Sequence, residues 1–113
     1  MNMINQVLLE GKIDSFEFKK DPAHDDFLDL RIVYEVTEKN KDGTFTTLNS
    51  YFNVYAFGIL ADYCKKRLKL KRGVRIVGKL KQERCQDSDS KTYSRVFIVA
   101  EHIEFKPMKE DFE

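Results

Sequence analysis

Four aromatic side chains occur among the nine residues of the segment SYFNVYAFG, from Ser50 to Gly58. Because alternate side chains of a β-strand point to opposite faces, one face of such a strand would carry three rings and an amide, those of Tyr51, Asn53, Tyr55 and Phe57. Rings on an open sheet face are platforms on which the bases of a single-stranded nucleic acid stack, and an amide can hydrogen-bond to them. The same rings would also fit a barrel core or a subunit contact, so both interpretations stay open. The opposite face is assigned to packing, through Phe52, Val54 and Ala56.

Basic side chains are concentrated in the segment that follows. From Lys65 to Arg84 ten lysines and arginines stand against one acid, Glu83, which gives +9 in a chain of net charge +1. Such a local field attracts a polyanion, although a solvated basic helix face has the same composition. The candidates for pairing with phosphates, not all on one surface, are Lys65, Lys69, Lys71, Arg72, Arg75, Lys79, Lys81 and Arg84.

Catalytic arrangements are not indicated by the residue spacing. His24 lies in a polar loop and His102 in a late strand, and neither has a serine or cysteine motif beside it that it could activate. No glycine-rich phosphate-binding loop occurs. We therefore predict that the chain is not an enzyme and needs no cofactor.

Metal and disulfide chemistry are also disfavoured. Cys64 and Cys85 are isolated from each other and from both histidines, so free thiols are expected. The acidic stretch DPAHDD could offer oxygen ligands to a divalent cation from Asp21, Asp25 and Asp26. Its spacing fits no known cation loop, and a solvated acidic turn explains it as well. No metal site is predicted.

Length and composition limit the chain to a single ordinary domain. It has 113 residues, of which 42% are apolar and 35% charged. No apolar run approaches the roughly 20 residues of a membrane span, and the start MNMINQVLLEGK lacks the features of a signal peptide. We expect a cytoplasmic protein without membrane contact, with one domain over residues 1–106 and a short polar end at 107–113.

Five strands and one helix are predicted to position the aromatic and basic residues. The strands are NQVLLEGKI, FLDLRIVYEV, the aromatic segment, VRIVGKLKQER and TYSRVFIVAEHIEF. Asp42-Gly43 predicts a hairpin between the second and third strands. The helix is ILADYCKKRLKL, with Leu60, Ala61, Cys64 and Leu68 on one side, and Gly73 ends it.

The first and fourth strands share a glycine in the frame V-x-apolar-x-G-K-apolar, as VLLEGKI and VRIVGKL. A glycine inside a strand weakens it and marks a bend or a close backbone approach. Two bent strands, and a lone helix between the third and fourth, fit the five-stranded oligonucleotide-binding barrel, or OB-fold. A sandwich and an SH3-like barrel remain possible on the pattern alone.

The ordered motifs resemble those of the bacterial single-stranded DNA-binding proteins over nearly the whole chain. The family's opening strand, V-x-L-x-G-x-L, is similar to VLLEGKI, and its aromatic strand ending in Phe-Gly before a Leu-Ala helix is similar to SYFNVYAFGILADY. Its Lys-Gly helix end and fourth strand are similar to KRGVRIVGKLKQER, with Arg72 between the lysine and the glycine. Its last strand is similar to TYSRVFIV.

The resemblance implies sequence-independent binding of single-stranded DNA in replication, recombination or repair, and a homo-oligomer, with a tetramer as the expected state. It places Tyr51 and Phe57 at stacking positions, but Cys85 stands where an aromatic is usual, and the chain has no tryptophan. The family's long tail with an acidic tip is not matched by the end KPMKEDFE. Two alternatives are a tailless adaptor of the primosomal replication protein N type and an OB module that binds only proteins.

Overall fold

The computed structural model describes residues 2–20 and 26–108, and within them it has five strands and one helix. The strands close into a barrel in the order β1-β2-β3-β5-β4, in which the contact of β3 with β5 is parallel and the others are antiparallel. The predicted OB-fold, with its helix between the third and fourth strands, is confirmed. The elements are β1 (Val7–Lys19), β2 (Phe27–Lys39), β3 (Phe45–Phe57), α1 (Gly58–Lys65), β4 (Gly73–Gln86) and β5 (Thr92–Phe105).

The core lies inside the barrel and follows the period of two that the sequence predicts. Leu28, Leu30 and Ile32 of β2 are fully buried, and Val54 and Ala56 of β3 pack against them. Each large aliphatic side chain buried in this way contributes roughly 1.5–3 kcal/mol. The remaining fully buried aliphatic side chains are Ile13, Val74, Ile76 and Ile103. This interior fixes the opposite side chains of β2 and β3 on the outer surface, where they are available for binding.

The two strand glycines stand where neighbouring strands cross closely. A Cβ on Gly11 would come within 2.5 Å of the Val33 carbonyl oxygen, and one on Gly78 would collide with the Val99 carbonyl oxygen. Gly78 also adjoins a shift of register between β4 and β5. The predicted role of these glycines, a close approach of the backbone that permits barrel closure, is confirmed.

The helix is shorter than the sequence pattern predicts. It ends at Lys65, and the chain turns back through hydrogen bonds from the Arg67 and Leu68 amides to the Cys64 carbonyl. The predicted apolar face is correct, since Ala61 and Cys64 are buried. Lys71, with a φ of 69°, then donates its amide to Ile13 of β1, which fixes the loop on the barrel.

The first strand is longer than predicted because it continues after an irregularity in register between Ile13 and Ser15. Its second half pairs with β2 as far as Lys19↔Phe27. An extra residue at such a point bends the strand and lets it follow the curved barrel. The segment DSFEFK, which the sequence pattern left outside the strands, therefore forms part of the barrel wall.

Most of the third strand lies beyond its described pairs with β5. It pairs with β2 from Phe27↔Phe57 to Lys39↔Phe45, whereas its described pairs with β5 are Val54↔Ile98 and Tyr55↔Val99. The N-terminal half of β3 thus belongs to a two-stranded arm closed by the predicted turn at Gly43. For this reason Phe52, which the sequence assigned to packing, is 39% exposed.

Some predictions fall on residues outside the described ranges, namely the acidic ligands Asp21 and Asp25, the loop histidine His24, and the end Asp111 to Glu113. Within the described residues, no helix has the length and apolar character needed to span a membrane.

Candidate nucleic-acid interface

The outer face of β3 carries the four side chains that the sequence placed together. Tyr51 is 47% exposed, Phe57 is 42% exposed, and Asn53 is exposed between them. Tyr55 lies on the same face but is only 5% exposed. The face therefore presents two accessible rings, and six residues at about 3.3 Å each separate them by roughly 20 Å along the strand.

Tyr55 is covered by aromatic side chains of the two neighbouring strands. Its ring centroid lies 4.6 Å from that of Phe97 in β5 and 5.3 Å from that of Phe27 in β2. Phe27 in turn lies 5.3 Å from Phe57. Tilted rings at these distances attract each other beyond their hydrophobic burial. The rings form one aromatic cluster of Phe27, Tyr55, Phe57 and Phe97. Of its two members on β3, Phe57 is exposed and Tyr55 is buried.

Basic side chains border this cluster in an open groove of about 320 Å³. Lys81 of β4 and Arg95 of β5 line the groove together with Phe57 and Glu83. The Arg95 guanidinium carbon lies 5.6 Å from the Tyr55 ring centroid and 5.5 Å from that of Phe97. The groove thus combines an exposed ring with two cations, the pairing that a base and its phosphate require.

Burial and neighbouring groups shift the pKa of Arg95 in opposite directions. Burial against the rings lowers the pKa of Arg95, but its hydrogen bond to Glu83, 3.2 Å from Nη2 to Oε2, and the proximity of Tyr55 raise it. The net effect raises the pKa above its usual value, so the guanidinium is cationic wherever the protein is folded. It is a fixed positive charge at the edge of the aromatic cluster.

A larger hollow of about 500 Å³ opens where β3 leaves β5. Tyr51, Phe52 and Asn53 line one wall, and Val96 and Phe97 line the other. The guanidinium carbon of Arg31 stands 4.4 Å from the centroid of Tyr51. Phe97 borders both this hollow and the groove around Phe57, so the two are adjacent.

A third hollow, of about 240 Å³, extends the same surface toward β1. It is lined by Ser15, Glu17 and Asp29, and it shares Arg31 and Asn53 with the hollow beside Tyr51. The three hollows, defined by their shared side chains, form one track across the outer face of the barrel. We call this the β3 track.

The basic residues predicted from the sequence divide between this track and other surfaces. Lys81 lines the groove, and Lys79 lies two residues away on the same face of β4. Arg84, by strand alternation, lies on the opposite face of the β4–β5 hairpin. The structure therefore brings Lys81 to the aromatic cluster, with Lys79 as its neighbour on the same face of β4.

The other predicted cations take part in contacts away from the track. Arg72 donates to the carbonyls of Arg67 and Lys106, and Lys71 lies in the same loop. Arg75 pairs with Glu10 at 2.7 Å. Lys65 lies 3.6 Å from Asp62 on the helix. None of these cations lines the three hollows.

The side chains of the track that were not identified from the sequence as binding residues include Phe27, Arg31, Arg95 and Phe97. Phe27 and Arg31 alternate with the buried leucines of β2, which places them outward, and they pair directly with Phe57 and Asn53. The outward placement of Phe27 and Arg31 was available from the period of two in β2, whereas the parallel contact of β3 with β5 has no local sequence signal. The approach of β5 to β3 is therefore the part that required the structure.

The cysteines and possible metal ligands lie apart from this chemistry. Burial raises the pKa of the Cys64 thiol to about 11, which keeps it protonated near neutral pH. Cys85 pairs with Tyr93 in the β4–β5 hairpin, and both cysteines are free thiols, as predicted. Across residues 2–20 and 26–108, no group of three histidine, cysteine or acidic side chains is arranged to hold a metal ion.

Comparison with known proteins supports the predicted binding of single-stranded DNA. The model of the single-strand binding protein family matches residues 4–106. A single-stranded DNA-binding protein of Aquifex aeolicus is 26% identical over 102 residues, which are 89% of this chain and 69% of that protein. The family is defined by binding rather than by a reaction, in agreement with the prediction that the chain is not an enzyme.

Solved structures share the fold at low sequence identity. The complex of a Plasmodium falciparum single-strand binding protein with single-stranded DNA superposes with a TM-score of 0.81 at 13% identity, covering 95% of this chain and 98% of the other. A Thermus aquaticus single-stranded DNA-binding protein gives a TM-score of 0.77 at 21% identity, covering 94% of this chain. This chain spans 52% of the Thermus aquaticus chain.

Proposed function

The chain belongs to the single-strand binding protein family, and from this premise we propose that it binds single-stranded DNA with little sequence preference. Bases stack on the exposed rings of the β3 track, and phosphates pair with the cations at its borders. The observation that carries this proposal is the combination of exposed rings and cations in adjacent hollows of the track. The half-exposed rings of Tyr51 and Phe57 line two of these hollows, which Arg31, Lys81 and Arg95 also line.

Each predicted site residue has a role in this proposal. Tyr51 and Phe57 are the stacking platforms, and Asn53 between them hydrogen-bonds to a base or a phosphate. Tyr55 supports Phe57 from below through Phe27. Its nearly complete burial leaves little ring surface for direct stacking. Stacking on aromatic faces tolerates every base, which accounts for binding without sequence readout.

The cations divide into an inner and an outer group. Lys79 and Lys81 pair with the phosphates nearest the aromatic cluster. A strand long enough to leave the track meets Arg84 on the other face of the β4–β5 hairpin, and Lys71 and Arg72 beyond α1. This division predicts that short oligonucleotides depend on the inner group and that longer ones recruit the outer group.

The cellular setting follows from the same proposal. A protein that covers single strands without regard to sequence acts wherever duplex DNA is opened, in replication, recombination or repair. We propose a cytoplasmic, nucleoid-associated homotetramer that works beside replication or repair proteins. Closed symmetric assembly is the usual outcome when a small chain associates with itself.

Titration of fluorescent oligonucleotides as a function of salt tests the binding proposal. The logarithm of the binding constant should fall linearly with the logarithm of salt concentration, with a slope of roughly −0.7 per phosphate neutralised. Homopolymers and mixed sequences should bind similarly, duplex DNA should bind much more weakly, and an RNA arm measures discrimination of the sugar. Equal affinity for duplex, or the absence of a salt slope, would contradict the proposal.

A further inference from the structure

The cations around the β3 track are held by carboxylates of neighbouring positions. These ion pairs join Arg31 to Asp14 at 3.7 Å, Lys19 to Asp29 at 3.0 Å, Lys79 to Glu101 at 3.9 Å and Arg95 to Glu83 at 3.2 Å. A polyanion that reaches the track therefore meets cations with an anion already beside them. The positive charge of these four cations is therefore partly neutralised before a strand binds.

The pair of Arg95 with Glu83 differs from the others because both partners line the aromatic groove. Glu83 of β4 and Arg95 of β5 face each other in the strand register, and Lys81 lies two residues from Glu83 on the same face of β4. The side chains of Glu83 and Arg95 are about half exposed, at 50% and 43%. The carboxylate thus lies in the groove, in contact with a cation and within reach of solvent.

We propose that Arg95 and Lys81 form a phosphate subsite of the β3 track. In the unbound protein, the Glu83 carboxylate occupies the position on Arg95 that a phosphate of the bound strand takes. This inference rests on the proposed function and names a subsite within it. A guanidinium hydrogen-bonds to carboxylate and phosphate oxygens through the same planar set of N–H donors. Binding of the strand exchanges the one anion for the other.

The position of Arg95 does not depend on Glu83 alone. Its guanidinium also lies over the rings of Tyr55 and Phe97, and such contacts hold an arginine over an aromatic face. The contact with Glu83 is a single exposed hydrogen bond, a kind of ion pair that contributes little to stability. Arg95 is therefore positioned by the aromatic cluster, whereas Glu83 is free to leave when a phosphate arrives.

The exchange changes the number of ions that are released when the strand binds. When a phosphate replaces Glu83, the released carboxylate turns to solvent and attracts a cation from solution. Fewer ions are then released on binding than the number of phosphate contacts implies, so the salt slope is shallower than without Glu83. Affinity at low salt is reduced for the same reason.

The substitution Glu83→Gln tests this exchange because it keeps the shape of the side chain and removes its charge. Oligo-dT binding should tighten about two- to fivefold at low salt, the range expected for loss of an exposed ion pair, and the salt slope should steepen. The matched control is Glu104→Gln on β5, which changes the net charge equally but lies 3.9 Å from Arg75, away from the groove. It should change affinity less than Glu83→Gln does, because its charge lies away from the groove and acts on the bound strand only over a longer distance.

Two further variants identify Arg95 as the cation concerned. Arg95→Gln should weaken binding and reduce the magnitude of the salt slope by about 0.7, one phosphate contact. Adding Glu83→Gln to Arg95→Gln should bring no further gain, since the competing pair is already absent. Glu83→Ala serves as a second neutral variant, and thermal unfolding checks that each protein is folded at the temperature of titration.

The outcomes separate this inference from the proposed function. If the wild-type protein binds oligo-dT but Glu83→Gln behaves like Glu104→Gln, the phosphate subsite is wrong and the proposed function stands. A gain that persists in the double variant would also refute it, because the gain would not pass through Arg95. If neither the wild-type protein nor Glu83→Gln binds single strands at low salt, the proposed function itself fails and the subsite fails with it.

Discussion

At the scale of single residues, one strand face carries aromatic side chains of two kinds. Tyr51 and Phe57 present nearly half of their surface to solvent, whereas Tyr55 between them is buried by rings from β2 and β5. Identical positions in the strand period therefore have different exposures, and the proposed function assigns binding to the exposed rings and stability to the buried one. Exposure, not residue type, separates the two roles.

Truncation of the rings should distinguish these roles. Tyr51→Ala and Phe57→Ala should each weaken binding to a single strand by about 1–3 kcal/mol, with little loss of stability. Tyr55→Ala should instead lower the free energy of unfolding by about 3–5 kcal/mol, the range for large buried aromatics. Chemical unfolding beside oligonucleotide titration measures both quantities.

Leu30→Ala is the control for a change that acts only through the core. Leu30 is fully buried inside the barrel, so its truncation should cost about 2–5 kcal/mol of stability and leave affinity per folded molecule intact. If Tyr51→Ala unfolds as early as Leu30→Ala while keeping full affinity, Tyr51 belongs to packing and the stacking proposal is wrong.

The sequence predicted which side chains share a face but not how deeply each is covered. The period of two is a local property, and it correctly placed Tyr51, Asn53, Tyr55 and Phe57 together. Coverage depends on neighbours that arrive from distant segments, as Phe97 does over Tyr55. Phe52 shows the opposite difference. The described pairs of β3 with β5 begin at Val54, so the ring of Phe52, which the pattern assigned to the core, is 39% exposed.

At the scale of elements, β1 must bend tightly enough to pair with both β2 and β4. Gly11 lies at this bend, where the backbone of β2 approaches so closely that a side chain has no space. The strand pattern alone predicted the bend, since a glycine in an otherwise good strand needs a structural reason. The length of β1 and the early end of α1 were not predictable, because a register irregularity and a packed turn determine them.

Gly11→Ala should destabilise the barrel. Its Cβ would lie 2.5 Å from the Val33 carbonyl oxygen and 2.6 Å from Ile32 Cγ2, so backbone must move, at a cost of about 1–3 kcal/mol or more. Gly73→Ala is the matched control, since its nearest contact is the flexible Lys106 side chain, 3.0 Å away at Cδ. Thermal unfolding of both variants decides the matter, and equal melting temperatures would show that β1 accommodates the side chain.

An ionic contact joins the same strand to the end of the barrel. Glu10 of β1 lies 2.7 Å from both Lys106, just after β5, and Arg75 of β4. Hydrogen bonds from Lys106 and then from Arg75 lower the pKa of the Glu10 carboxyl below its usual 4.5. The contact stabilises the fold when the carboxylate is ionised.

This contact predicts a pH dependence of stability with a defined sign. Because the folded pKa of Glu10 is lowered, its contribution is present above about pH 4.5 and is lost as the pH falls through the folded value. The difference in unfolding free energy between the wild-type protein and Glu10→Gln should therefore be present at pH 6 and should shrink in acid. A difference that stays constant with pH would show that the carboxylate charge plays no part.

At the scale of the whole molecule, apolar side chains remain outside the single barrel. Leu8 on β1 is 72% exposed, and Phe45 and Leu48 on the β2–β3 arm are 67% and 49% exposed. Surfaces of this kind are typical of chains that associate. The proposed homotetramer should appear as a mass of four chains in light scattering at micromolar concentration. A monomer mass that does not change with concentration would contradict it.

The short contact between β3 and β5 should affect how fast the backbone amides of β3 exchange with solvent. From Phe45 to Asn53 the alternate amides of β3 that point away from β2 lie beyond the two described β3–β5 pairs, and the last three residues of this stretch line the hollow beside Tyr51. In deuterated water these amides should exchange rapidly, whereas their neighbours bonded to β2 exchange more slowly, which gives an alternating pattern along one strand. A bound oligonucleotide that covers the hollow should slow the rapid set. Protection at those positions would trace the path of the strand residue by residue.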